Sequence, residues 1–209
     1  MELVHTNIPP KFYSATVELE IPAHDLKRLP NGLLDMAHMP ASIASISQHN
    51  ATASPLLRLP GEIRDKIYSS ILTSVEFEVY TFNSIPYRIS AGPGVTSKRA
   101  IGLPSVCRQL YADTSLLLFS KPTFTFPRFG VETCRKWVAT LSETQRGAVR
   151  KVKCWYYMCN EDFTKMFPGL RVLVAMRYAS SPKLDGADLR RIREVQGVGV
   201  EVEMEYLDE

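Results

Sequence analysis

The sequence predicts a mixed α+β or α/β protein: two helices separated by an inserted hairpin, then alternating helix–strand units that form a small, mostly parallel sheet. Three observations carry this reading. "PGEIRDKIYSSIL" repeats apolar residues at helical spacing, "VEFEVYTF" and "GVGVEVEMEY" alternate apolar with polar residues at strand spacing, and from residue 128 onward the two periods take turns. A chain of 209 residues that is 45% hydrophobic and 22% charged can bury a real core.

Residues 1–54 read as a largely flexible leader, because "HMPASIASISQHNATASP" is rich in Ala and Ser and poor in bulky apolar side chains. One strand is expected within it, over residues 16–21, where Val17, Leu19 and Ile21 alternate with polar residues. Residues 55–209 then form a single globular domain, with one part over 55–127 and a helix–strand part over 128–209. The leader carries a net charge of −2 and the body +5, too little to argue for nucleic acid on charge alone.

The first helix is expected from Pro60 to about Thr73. Proline suits a first helical turn, where its missing N–H had no intrahelical partner, and Glu62 sets a carboxylate beside the positive helix end. Ile63, Ile67 and Ile71 recur at i+4 and would seat the helix; Leu59, Tyr68 and Leu72 widen the stripe beyond a narrow seam. "VEFEVYTFNSIPYRIS" suggests a hairpin turning near Asn83–Pro86, and "AGPGVTSKR" a basic loop. A second helix is expected from Pro104–Ser105 to about Phe119, and a short strand through Phe124 and Phe126.

Further on, a helix from Val131 to about Thr144 presents Cys134, Trp137, Val138 and Leu141, with Gly147 able to end it. A strand follows in "AVRKVKCWYY", then a short helix in "NEDFTKMF" stopped by Pro168–Gly169. "LRVLVAMRY" is almost continuously apolar, as a strand covered on both faces should be. Asp185 or Asp188 can cap a helix through Val195. The last strand, "GVGVEVEMEY", carries Glu201, Glu203 and Glu205, charges that suit an edge strand. This rhythm resembles a short, degenerate leucine-rich-type array.

The chemistry is read mainly by exclusion. His5, His24, His38 and His49 all fall in the leader, so the body from Leu56 onward contains no histidine for a nucleophilic triad or a histidine-bearing metal site. Cys154 and Cys159 have no second close pair and read as buried thiols, like Cys107 and Cys134. "GPG" at 92–94 lacks the context of a phosphate loop. Glu161, Asp162, Asp185 and Asp188 open helices, where capping explains them. No catalytic, cofactor-binding or metal-binding residue is assigned, no cofactor is expected, and the chain is read as no enzyme.

Arg146, Arg150, Lys151 and Lys153, beside Trp155, Tyr156 and Tyr157, are the best candidate for single-stranded nucleic acid. A strand with alternate residues in water explains the lysines better, and Arg190, Arg191 and Arg193 read as the wet side of the last helix. The N-terminal stretch has neither a basic nor an apolar signal region, and no apolar run approaches membrane-spanning length. The expectation is a cytoplasmic or nuclear protein without a membrane partner.

One resemblance is specific. Leu56, Leu57, Leu59, Pro60, Glu62, Ile63, Arg64, Ile67 and Tyr68 follow a "LLxLPxEIRxxIY" opening. Cys107, Arg108, Gln109, Leu110, Tyr111 and Ala112, then Leu117, Leu118, Phe119, Thr123, Phe124 and Phe126, follow a "CRQxYxEA…LLY…NTFxF" continuation, with Asp113 standing where Glu is common. Over about residues 55–127 the chain thus resembles a fungal F-box-like family of unassigned function. The resemblance implies an interaction module, whose first helix docks a Skp-type linker subunit of a cullin-RING ubiquitin ligase while the helix–strand half meets a client protein. The expected docking residues are Leu57, Leu59, Pro60, Ile63, Ile67, Tyr68 and Leu72. An interaction domain with no ligase role and a basic nucleic-acid binder are the alternatives. An F-box keeps its first two helices close in sequence, whereas here about thirty residues separate them.

Overall fold

The computed structural model describes residues 27–31, 33–37, 41–82, 85–91, 100, 102–126, 130–181 and 186–208. The expected strand at 16–21, the 92–94 loop, Asp185 and three of the four histidines lie outside these residues. The helices are α1 (Ala41–Ala53), α2 (Gly61–Thr73), α3 (Arg108–Thr114), α4 (Leu117–Ser120), α5 (Gly130–Val138), α6 (Glu143–Ala148), α7 (Phe163–Met166) and α8 (Gly186–Gln196). The strands are β1 (Glu76–Phe82), β2 (Ile85–Ala91), β3 (Thr123–Phe126), β4 (Lys151–Trp155), β5 (Val172–Tyr178) and β6 (Glu201–Leu207). Single 3₁₀ turns occupy Leu103–Ser105 and Tyr156–Asn160.

The six strands make one sheet in the order β2-β1-β3-β4-β5-β6. β1 and β2 pair antiparallel, as a hairpin requires, and the other neighbours are parallel. The expected mixed helix–strand class with a small, mostly parallel sheet is therefore correct, and β6 is an edge strand as expected.

One register row runs Phe77, Phe124, Val152, Leu173, Val202, and the next Phe126, Cys154, Ala175, Met204. These side chains face the helices. Trp137 of α5 fills the space between them, 4.7 Å from the Phe124 ring and 5.7 Å from Phe167 of the α7 segment. Leu72, Met158, Phe163 and Ile192 complete this core. Burial of this much aromatic surface is the main force holding helices to sheet.

The opposite face is polar. Its middle row reads Glu78, Thr125, Lys153, Val174, Glu203. Lys153 bridges to Glu205 (2.9 Å) and Glu76 (3.5 Å), and Lys151 to Glu203 (3.1 Å). Both lysines reach from β4 to β6 and so pass over β5 between them. Val174 and Met176 are buried there but stand outside the main core cluster. The second face of β5 is thus roofed by ion-paired side chains, which the continuous apolar run alone did not distinguish from a helical cover.

Four expected elements differ. Residues 41–53, expected loose, form α1, for which high alanine propensity is the local reason. The second helix is broken: Cys107 is an extended N-cap whose sulfur accepts the Leu110 N–H (3.5 Å), so the helix proper starts at Arg108 and breaks again before Leu117. The helix expected over 131–144 ends at Val138, because Ser142 and Gln145 form a reciprocal capping box that starts α6. Gly147 lies inside that helix. Val198, expected in the last strand, is fully exposed; Gly197 and Gly199 flank it at positive φ, a backbone that L side chains resist, so the strand begins at Glu201.

Candidate functional site

The Leu-Pro corner is built by one arginine. Residues 55–59 form a turn, Pro60 caps α2, and Arg64 lies one turn into the helix. Its Nη1 donates to the carbonyls of Leu59 (2.7 Å) and Leu57 (3.3 Å), pinning the turn against the helix. Its Nε and Nη2 donate to Asp113 of α3 at 2.8 and 3.3 Å. Gln109 donates to the same carboxylate (2.9 Å). The two motif segments therefore meet in space despite the inserted hairpin, and α2 packs on α3 and α4. The hydrogen bond to Asp113 holds the Arg64 guanidinium above its ordinary range, although burial works against it.

Other motif residues face the leader. Tyr111 Oη accepts the Leu34 N–H (3.0 Å), and Arg108 Nη2 donates to the Asp35 carbonyl (2.8 Å). Much of the motif is thus a clasp joining the 33–35 strap, α2 and α3.

Clasping turns one stripe of α2 inward. Arg64, Tyr68 and Leu72 lie at i, i+4 and i+8 on the inner side, and Tyr68 and Leu72 are fully buried. Ile63, Ile67 and Ile71 form the neighbouring stripe, rotated by one residue. Ile63 is 41% and Ile71 37% exposed, and Ile67 is half-buried. This reverses the expected division of labour: Tyr68 and Leu72 seat the helix, and Ile63 and Ile71 face water. Tyr68 and Leu72 therefore drop out of any docking surface, since no partner reaches them without opening the core. Pro60 is exposed, and Leu57 and Leu59 are half-buried beside it.

The basic candidates are largely spoken for. Lys151 and Lys153 are tied to Glu76, Glu203 and Glu205. Burial pulls the Lys153 ammonium down, but the bond to Glu205 and the charges of Glu76 and Glu205 outweigh it and hold it above its usual range. Arg150 Nη1 donates to the carbonyls of Gly147 (2.6 Å) and Gly169 (2.7 Å), a structural bond under β4. Arg190, Arg191 and Arg193 are exposed along α8, as expected.

Cys154 and Cys159 are buried with sulfurs 3.8 Å apart, and all four thiols are free. Their mutual hydrogen bond and burial push the Cys154 thiol well up, which keeps it unreactive. Glu161 pairs with Arg135 (2.9 Å). Asp162 caps α7 by accepting from the N–H groups of Thr164 (3.1 Å) and Lys165 (3.3 Å), and the Thr164 hydroxyl bond foremost holds its carboxyl below the usual range.

Two features escaped sequence reasoning. Gln196 is buried at the end of α8, where its Oε1 accepts the Phe163 N–H (3.2 Å) and its Nε2 donates to the carbonyls of Cys159 (3.1 Å) and Glu161 (2.7 Å). The second is Arg177, on the helix side of β5 in phase with Leu173 and Ala175. Counting by twos along "LVAMRY" was the available signal. Among the described residues, no group of acidic, cysteine or histidine side chains is placed to hold a metal ion, and no helix is long and apolar enough to cross a membrane. No protein-family model, curated protein or solved structure matches the chain.

Proposed function

We propose that this protein is a non-catalytic interaction module that docks a protein partner through the outer face of α2, as an F-box-like adaptor for a Skp-type linker subunit of a cullin-RING ligase. One observation carries the reading. Ile63 and Ile71 stand in water on a helix already seated by Tyr68 and Leu72, so this apolar area is surplus to the fold. An amphipathic helix with anchors at i, i+4 and i+8 is a recurrent way of entering a partner's groove. The Arg64 clasp supports the same reading, because it presents Pro60 and Ile63 on a rigid corner.

The sheet's in-order parallel strands support likeness to a short leucine-rich-type array as the client-bearing half. An interaction domain of the same family with no ligase role differs only in its partner. Nucleic-acid binding is disfavoured by Lys151 and Lys153 being neutralised within the sheet.

The test is co-purification of the Skp-type linker with the full chain. The expected result is a complex lost on Ile63→Asp with Ile71→Asp, while thermal melting stays unchanged because both side chains are exposed. Absence of the linker from the wild-type complex defeats the ligase reading; its retention by the double variant defeats this face as the docking site.

A further inference from the structure

The amino ends of β4 and β5 set two arginines side by side. Lys151 pairs with Val172 in the ladder, so Arg150 and Arg171 stand one step ahead of it, and the Arg171 N–H donates to the Arg150 carbonyl (2.9 Å). Both arginines line a cleft of about 460 Å³, together with Pro168, Gly169, Leu170 and Gly199. That volume lies within the range of small-molecule sites, about 300–1,000 Å³.

Like charges on neighbouring strands repel, so such a pair normally has carboxylates beside it. Here no residue lining the cleft is acidic. Neither arginine forms an ion pair among the described residues. Glu201, which opens β6, is in phase with Glu203 and Glu205 on the polar face, where those two meet Lys151 and Lys153.

Arg150 is fixed without being neutralised. Its Nη1 donates to the carbonyls of Gly147 (2.6 Å) and Gly169 (2.7 Å). A Cβ at Gly169 would collide with this Nη1 and with the Gly147 oxygen, so glycine is what lets the guanidinium sit in the wall. The Nε and Nη2 of Arg150 hydrogen-bond to nothing among the described residues, and neither is sealed from water. Arg171 is exposed. The cleft thus offers one preorganised guanidinium edge and a second cation at its rim.

We propose that this cleft binds the phosphate group of a small phosphate monoester, with Arg150 and Arg171 on the phosphate oxygens and Pro168 beside the organic part. A phosphate monoester carries a charge of about −1.5 to −2 at pH 7, which two guanidinium groups balance. A carboxylate would balance only one of them and leave the like-charge repulsion in place. The site lies on other elements than the α2 face and does not rest on the docking reading.

The experiment titrates phenyl phosphate into the full chain by calorimetry, with benzoate as the singly charged probe. The expected result is saturable one-to-one binding, about tenfold or more tighter for phenyl phosphate than for benzoate. Arg171→Met should weaken phenyl phosphate about tenfold with unchanged melting, because its side chain is exposed. Arg150→Lys keeps the charge but loses the fork, and should weaken binding to a similar extent. It also loses carbonyl bonds and lowers the melting point, so Arg171→Met is the deciding variant. Ile63→Asp with Ile71→Asp should leave phosphate affinity intact, which keeps this result separate from that of the linker test. Absence of saturable binding, benzoate held as tightly as phenyl phosphate, or full affinity in Arg171→Met overturns the proposal. So does Arg171-dependent binding of a single-stranded oligonucleotide that is tighter than that of phenyl phosphate.

Discussion

Asp113→Ala should be the most informative single change in the body of the protein, because it removes the carboxylate on which α2 and α3 are joined. The two partners of the pair are each about 13% exposed, which places it between a surface and a buried ion pair. Surface pairs contribute about 0–1 kcal/mol, whereas breaking a buried one costs about 3–5 kcal/mol. Arg64 would keep its bonds to Leu57 and Leu59 and some access to water, so the expected cost is about 2–3 kcal/mol. Urea unfolding followed by Trp137 emission reads this directly, since Trp137 is buried among Phe124, Phe126 and Phe167. With a slope of about 1–3 kcal/mol/M, the midpoint should fall by about 0.7–3 M. Arg64→Met should cost somewhat more, as it also removes both Nη1 bonds to the turn. The double variant should cost less than the sum of the two by at least about 1 kcal/mol, the signature of a direct pair. A loss below about 0.5 kcal/mol for Asp113→Ala, or strict additivity, would refute the clasp as a source of stability.

Two further changes test other parts of the scaffold. Gln196→Leu keeps the volume but strands the Phe163 N–H and the Cys159 and Glu161 carbonyls, and should cost about 3 kcal/mol in the same assay; a neutral effect would mean water replaces all three bonds. Lys153 has its ammonium held up by Glu205 and Glu76, so its contribution is fully present below the unfolded lysine value of about 10.4 and is lost as pH rises through the higher folded value. Lys153→Met should therefore be less stable than the wild type by about 1 kcal/mol at pH 8, and the gap should close at strongly alkaline pH. A gap that widens with pH would contradict that sign.

Legibility followed the strength of local signals. α2, β3, β4 and β6 were readable because a single period runs along most of each element, and β5 because its apolar run is nearly continuous. α1 was missed because alanine and serine say little about burial while still favouring helix. The break between α5 and α6 was written in Ser142 and Gln145, yet the apolar period of Trp137, Val138 and Leu141 masked it. The division of α2 could not be read at all. Its apolar arc spans two stripes, and which one turns inward depends on contacts distant in sequence, among them Asp113, 49 residues from Arg64 along the chain. The same applies to Arg177: its register is legible, but the burial of its Nε and Nη1 without a hydrogen bond is a property of the assembled sheet.

The motif residues Arg64, Arg108, Gln109 and Tyr111 each make a bond that joins one segment of this chain to another or fixes α3 itself, and Asp113, which departs from the motif, accepts from two of them. Such residues specify a scaffold, because a half-buried polar group constrains geometry far more tightly than an apolar contact does. On the proposed reading, partner choice resides in side chains that the clasp leaves over, and on α2 these are Ile63 and Ile71, which stay exposed on a helix already seated by Tyr68 and Leu72.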